Sequence, residues 1–242
     1  EPSITPPSDS QPLQPLANHL CHSALSEPLA NTSSRRGAHA LTADWAAVAD
    51  SWRTRYQPAM EEVRSGRRPW TILDALHRET LVAVLAEHGI PLPDDETLDA
   101  LTRAWHRLDP WPDAIDGLTA LRTRFTIGTL SNGNTTLLTN LAAHAALPWD
   151  VILGAETARA YKPRPEAYLT NVALIELEPR QVMLVAAHNG DLAAAASAGL
   201  RTGFVARPTE HGPGQTSDLA PTGDWDVVAG DIPSLADALG CP

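Results

Sequence analysis

Lys162 is the only lysine in a chain that otherwise draws its cations from 17 arginines. It sits in Tyr161-Lys162-Pro163-Arg164-Pro165, with Tyr168 six positions on. An ammonium is a compact point charge on a flexible stem, whereas a guanidinium is a broad fork. Lys162 is therefore suited to pairing with one carboxylate and holding it ionised, and a short helical turn would aim the Tyr168 hydroxyl at the same pocket. The alternative for Tyr168 is a half-buried core tyrosine. Two other polar clusters stand out. Ser131-Asn132-Gly133-Asn134 offers a hydroxyl, an amide and backbone N–H donors to an oxyanion, or else a turn that only caps a helix. His188-Asn189-Gly190-Asp191 supplies an acid that could pair with Lys162, orient water or cap a helix, next to an imidazole and an amide.

The elements around these clusters place all three at junctions. Phe125 to Leu130 reads as a short apolar strand ending in Ser131, followed by a helix from Thr135 to Ala145. Val151-Ile152-Leu153 is strand-like, and Pro165 to Leu174 helical. Val182 to Ala186 is a strand ending at the His188 cluster, and an alanine-rich helix follows it to Gly199. Thr202–Ala206 and Asp226–Val228 supply further strands. Strands alternating with helices predict a parallel sheet covered on both faces, with ligands beyond the carboxyl ends of the strands. Ahead of this lies a helical block without strands. Thr42 is positioned to cap a first helix through Trp45, Val48 and Trp52, a second runs from Trp70 to His88, and a third from Asp95 to Leu108, before the Pro110-Trp111-Pro112 break. Residues 1–40 carry six prolines among many Ser, Asn and Gln residues, with no periodicity, and read as a disordered arm.

Composition narrows the partners. With 242 residues the chain can bury a substantial core, and its hydrophobic fraction of 43% is ordinary. A net charge of −11 argues against a nucleic-acid backbone or an anionic membrane. Cys21 and Cys241 form neither a disulfide framework nor a zinc pattern. No membrane-length apolar run or signal-like leader is read, so the expected location is cytoplasmic.

In order and spacing, the three clusters resemble motifs two, three and four of the haloacid dehalogenase superfamily, with the metal-independent type II 2-haloacid dehalogenases the nearest likeness. Trp52-Arg53 with Tyr56 resembles the arginine-bearing start of that family's cap. The resemblance covers roughly residues 42–240 and implies an α/β fold, a Rossmann-like parallel sheet with an inserted helical cap. It divides the chain into an atypical arm at 1–41, a cap at 42–112 and a core at 113–242. It also implies a hydrolase in which an aspartate displaces halide from a small (S)-2-haloacid and water cleaves the resulting ester. Lys162, Asp191, Ser131 and Asn132 would be catalytic. Arg53 and Asn132 would receive the halide, and Ser131 with neighbouring amides such as that of Gly133 would hold the substrate carboxylate. Tyr168, His188 and Asn189 complete the expected pocket. No cofactor is expected, and family members are commonly dimers.

Two departures bear on function. Magnesium-dependent phosphatases of the superfamily carry a second acid a few positions after the motif-four aspartate, but here Asp191 precedes Leu192-Ala193-Ala194-Ala195-Ala196, which favours metal-free chemistry over a phosphatase. The family's first motif, an apolar strand ending in the nucleophilic aspartate, is not recognisable. Asp9, the only aspartate in residues 1–41, has no such strand before it and no threonine at the required offset. That strand normally lies between those carrying motifs two and four. A non-catalytic protein that binds a small carboxylate or a protein partner is therefore the rival from another class.

Overall fold

Asp44 opens the first helix. Its carboxylate accepts the Ala47 N–H at 3.0 Å, and α1 (Trp45–Thr54) then buries Trp45, Val48, Ala49 and Trp52 on one stripe. The structure is a computed structural model describing residues 43–212 and 214–242. The expected arm at 1–41 and the expected cap residue Thr42 lie outside the described residues. After Arg55, α2 (Tyr56–Arg64) follows as a separate helix, one the sequence reading did not distinguish. α3 (Leu73–Glu87) and α4 (Asp95–Thr102) follow, the latter capped by Asp94, which accepts from Thr97 N at 2.9 Å. The third helix expected to reach Leu108 instead tightens at Arg103–Arg107 into a 3-10 turn that buries Ala104 and His106. Trp52, Leu81, Val84, Leu85, Leu98 and Leu101 form the core of this helical unit.

From Ala114 the chain alternates. α5 (Ala114–Arg122) leads to β1 (Gly128–Ser131), α6 (Thr135–His144) and β2 (Val151–Gly154). A short α7 (Ala155–Ala158) precedes α8 (Pro165–Leu174), whose Pro165 opens the helix at a position that needs no N–H donor. Then come β3 (Met183–Ala186), α9 (Asn189–Ser197), β4 (Arg201–Val205), β5 (Val227–Ala229) and α10 (Ile232–Ala238). All pairings are parallel. The first strand starts three residues later than the Phe125 of the sequence reading. Phe125 is 42% exposed, and the Ile127 N–H is engaged by the Asp150 carboxylate rather than by a strand.

This is the α/β class with a parallel sheet and an added helical unit. The described strands form two ladders, β1–β2 and β3–β4–β5, and among the described residues no strand joins β1 to β3. That is where the resemblance puts the first-motif strand. Leu184 and Phe204 pack with Tyr168, Val172, Leu192 and Ala195 of α8 and α9 on one side. Val205 and Ala229 pack with Leu118, Leu121 and Leu235 of α5 and α10. The Ser131 and His188 clusters follow the carboxyl ends of β1 and β3, the ends beyond which parallel strands place ligands.

Candidate active site

At the end of β1 the Ser131 hydroxyl accepts the Gly133 N–H at 3.1 Å and folds the loop back on itself. A Cβ on Gly154, at the end of β2, would stand 2.6 Å from the Ser131 carbonyl oxygen and 3.0 Å from that of Gly133. The bare backbone of Gly154 therefore lets β2 close against the loop. Asn134 precedes α6 but does not cap it with its side chain. Its amide turns to the helical unit instead: Nδ2 donates to Asp74 Oδ2 at 2.9 Å, and Oδ1 accepts the Asp74 N–H at 3.2 Å. Asp74 Oδ1 in turn lies 3.0 Å from His106 Nε2, and His106 Nδ1 lies 2.9 Å from the Asn140 amide. Asp74 was not singled out from sequence, and Asn134 was named only as the end of the Ser131 cluster, with no partner in the helical unit. Their types are common at helix starts, and only the three-dimensional contact distinguishes them.

The Lys162 and Asp191 side chains meet. Nζ donates to Asp191 Oδ2 at 2.5 Å, and the Tyr168 hydroxyl donates to Oδ1 at 2.6 Å. Both side chains of the ion pair are largely buried, at 17% and 13% exposure. Asp191 stands in the first turn of α9 and His188 takes the N-cap position, so Asp191 faces the site rather than capping. Tyr168 is wholly buried. Burial first, then the hydrogen bond and charge of Asp191, push its phenol well above the ordinary tyrosine range, so it remains a donor. The Lys162 backbone N–H donates to Asn132 Oδ1 at 2.8 Å, and its carbonyl accepts from Arg64 Nη1 at 3.0 Å. The Lys162–Pro163 peptide is cis. Lys162, Asp191, Tyr168, Asn132, Ser131 and Gly133 thus form one connected group.

Tyr56 joins that group from α2. Asn132, Arg64 and Arg53 act on its hydroxyl to favour ionisation, and the charge of Asp191 opposes it. Burial raises its pKa despite the Asn132 contact. The sequence reading used Tyr56 only to mark the start of the helical unit.

The remaining expected residues lie to one side. Arg53 Nη2 contacts His211 Nδ1 at 2.7 Å. His188 Nε2 pairs with Glu210 Oε2 at 2.9 Å, and its imidazole lies parallel to that of His211, with centroids 6.2 Å apart. Glu210 raises the His188 pKa, while Glu210 itself, though burial opposes it, is held below the usual carboxylate range by His188. Asn189 is engaged elsewhere. Its amide donates to Asp218 Oδ1 and the Ala220 carbonyl, and accepts from Thr222 N and Trp225 Nε1, which fastens residues 218–225 to the start of α9. The site therefore gathers an ammonium and a phenol on one carboxylate, with a side-chain amide and the Ser131–Gly133 loop beside them. That set can hold a small anion and support charge transfer at a neighbouring carbon.

Comparisons with known proteins bear on the family and the fold. A family model described as haloacid dehalogenase-like hydrolase matches residues 15–199. The chain is 31% identical over 136 residues to an (S)-2-haloacid dehalogenase of Xanthobacter autotrophicus, covering 55% of this chain and 53% of that protein. It thus spans about half the length of that relative. The crystal structure of a defluorinating L-2-haloacid dehalogenase superposes with a TM-score of 0.83 at 50% identity, over 91% of this chain and 89% of the other. A second L-2-haloacid dehalogenase structure gives 0.82 at 45% identity, over 90% and 92%.

Proposed function

Since the chain belongs to the haloacid dehalogenase-like hydrolases, we propose that it hydrolyses small (S)-2-haloalkanoic acids to 2-hydroxy acids without a metal cofactor. The observation that carries this reading is the convergence of Lys162 Nζ and Tyr168 OH on Asp191, joined through the Lys162 backbone to Asn132. The names of its relatives, (S)- and L-2-haloacid dehalogenases, support the substrate class.

In this chemistry a carboxylate oxygen attacks C2 of the substrate, and the carbon–halogen bond breaks with its electron pair leaving on the halide. Water then attacks the carbonyl carbon of the resulting ester. The 2-hydroxy acid departs, the carboxylate is regenerated, and one proton is released. Ser131 and the Gly133 N–H region receive the substrate carboxylate, while Asn132 and Arg53 receive the halide. Tyr56 and Tyr168 wall the site, and Lys162 supplies the positive charge that keeps a carboxylate ionised. Asp191 is the partner of Lys162 rather than the attacking group, because both its oxygens are already engaged. The attacking carboxylate is assigned to none of the described residues.

That same saturation of Asp191 favours a second reading, a site that binds small carboxylates without turning them over. Product chirality separates the two. Attack from the side opposite the halogen inverts C2, so (S)-2-chloropropionate should yield (R)-lactate with one chloride per lactate. Saturable binding of the substrate with no lactate formed would replace the dehalogenase reading by the binding one. (S)-Lactate as the product would exclude a single carboxylate displacement.

A further inference from the structure

Outside the Lys162–Asp191 group, His188, Glu210 and His211 bring two imidazoles and a carboxylate together, with one ligand atom of each lying within 4.8 Å of the others. We propose that these three side chains form a binding site for one divalent ion of the zinc, nickel or copper class, taken up at the expense of the Arg53–His211 contact. The ligand chemistry supports this choice: imidazole suits these metals, and two histidines with one carboxylate is a recurrent three-ligand set that leaves a position for water. Spacing supports it as well. With metal–ligand bonds of about 2.0–2.1 Å, ligand atoms in a tetrahedral site stand roughly 3.3 Å apart. His188 Nε2 and Glu210 Oε2 are already 2.9 Å apart. The parallel His188 and His211 rings are close enough for a modest tilt to bring both onto one ion.

Arg53 makes the site conditional. A neutral imidazole has one lone pair, and His211 Nδ1 uses it to accept from Arg53 Nη2. An ion can take His211 only by displacing the guanidinium at Nδ1, or by shifting the ring proton to Nδ1 and binding Nε2. Either way the hydrogen bond from Arg53 is lost. The surrounding charge does not forbid this: Glu210 is a ligand, and Asp218 interacts electrostatically with both imidazoles, offsetting Arg53. Metal uptake would therefore release Arg53 from the contact with His211 that holds its guanidinium. The ion acts here as a competitor for His211, not as a participant in hydrolysis, and the site stands whether or not the chain is a dehalogenase.

Calorimetric titration of the full chain with zinc chloride tests this, beside His211→Ala, Glu210→Gln and Arg53→Ala. Residues 1–42 contain other histidines and a cysteine, so the comparison between variants carries the assignment. The wild-type chain should take up one zinc equivalent that weakens at least tenfold in His211→Ala and in Glu210→Gln, with metal-free melting temperatures confirming that both are folded. Arg53→Ala should bind that equivalent several-fold more tightly, because the competitor is gone. With Cu²⁺, electron paramagnetic resonance should show nitrogen coupling from two imidazoles in the wild type and from one in His211→Ala. An isotherm with no saturable equivalent, or one unchanged in both ligand variants, would overturn the site. Unchanged affinity in Arg53→Ala would overturn the competition.

Discussion

Lys162 Nζ lies 2.5 Å from Asp191 Oδ2, an ion pair built from the chain's only lysine and the third residue of α9. Both side chains are largely withdrawn from water, so the pair carries a desolvation cost that attraction alone does not guarantee to offset. The Tyr168 hydroxyl reduces that cost by donating to the other carboxylate oxygen. The backbone of Lys162 donates to Asn132 Oδ1, so hydrogen bonds link the charge, its partner and the Ser131–Gly133 loop. Rigid positioning of this kind is what electrostatic support of a reacting carboxylate requires.

Tyr168→Phe should leave Asp191 Oδ1 without its donor while keeping the packed ring. We expect a stability loss of about 1–2 kcal/mol and roughly a tenfold fall in kcat, a change of about 1.4 kcal/mol in the barrier. Urea denaturation and steady-state kinetics check the two parts separately. Wild-type kcat in a destabilised variant would make Tyr168 a folding residue only.

Two glycines at the motif loop should respond differently to one methyl group. In Gly154→Ala the new Cβ meets backbone carbonyl oxygens of Ser131 and Gly133, which cannot yield without displacing the loop. In Gly133→Ala it meets Leu138 Cδ2 at 2.9 Å, the end of a flexible side chain. Gly154→Ala should lose about 2 kcal/mol or more and weaken substrate binding, with Gly133→Ala milder in both. Equal effects on urea midpoint and substrate affinity would contradict the packing account.

Asp74→Ala removes the partner of both Asn134 and His106, each only 3% exposed. Asn134 keeps the residue-74 N–H and His106 keeps Asn140, but each loses one buried partner, which should cost about 1–3 kcal/mol in all, measured by denaturant unfolding. Asp74→Asn retains an acceptor for Asn134 and should lose less than half as much. Since Asn134 adjoins the Asn132–Gly133 turn, the alanine variant should also lower kcat more than the asparagine variant does.

His77 supplies a pH prediction. It is 3% exposed and lies over Trp105 at 4.8 Å between centroids, and neither ring nitrogen has a partner among the described residues. Burial pushes it down to about 4, against the opposing pull of Asp74. The folded state therefore favours the neutral ring. Its stability contribution is complete above the unfolded value near 6.5 and is lost as pH falls from there through about 4, with a ceiling of about 3 kcal/mol. His77→Phe keeps the stacking and removes the titration. The unfolding free energy of the variant should be flatter than that of the wild type between pH 6.5 and 4, and equal slopes would exclude His77 as the source.

The parts of the site legible in sequence were those carried by rare residues or strong local signals. Lys162 stood out because nothing else in the chain is a lysine, and Pro165 marked the start of α8 because proline is tolerated at a helix's first turn. Asp191 was placed by the apolar strand before it. The Asp74–Asn134 bonds were not legible, since they join residues 60 positions apart whose types are common at helix starts. α2 was missed because only Arg55 separates it from α1 and Pro58 follows closely. Asn189 was expected in the pocket with its neighbour His188, yet its side-chain amide binds the loop at 218–225 instead. A residue's neighbours in sequence fix where its backbone lies, not which of two adjacent spaces its side chain enters.

Hydrolytic dehalogenation is read most simply as chloride release from (S)-2-chloropropionate by the full chain without added metal, beside a Lys162→Ala control whose folding is verified by its melting temperature. The wild type should release chloride and the control should lose at least a hundredfold, on the order expected when one preorganised charge is removed. Folded wild-type protein that releases no chloride, or a control as active as the wild type, would contradict this reading.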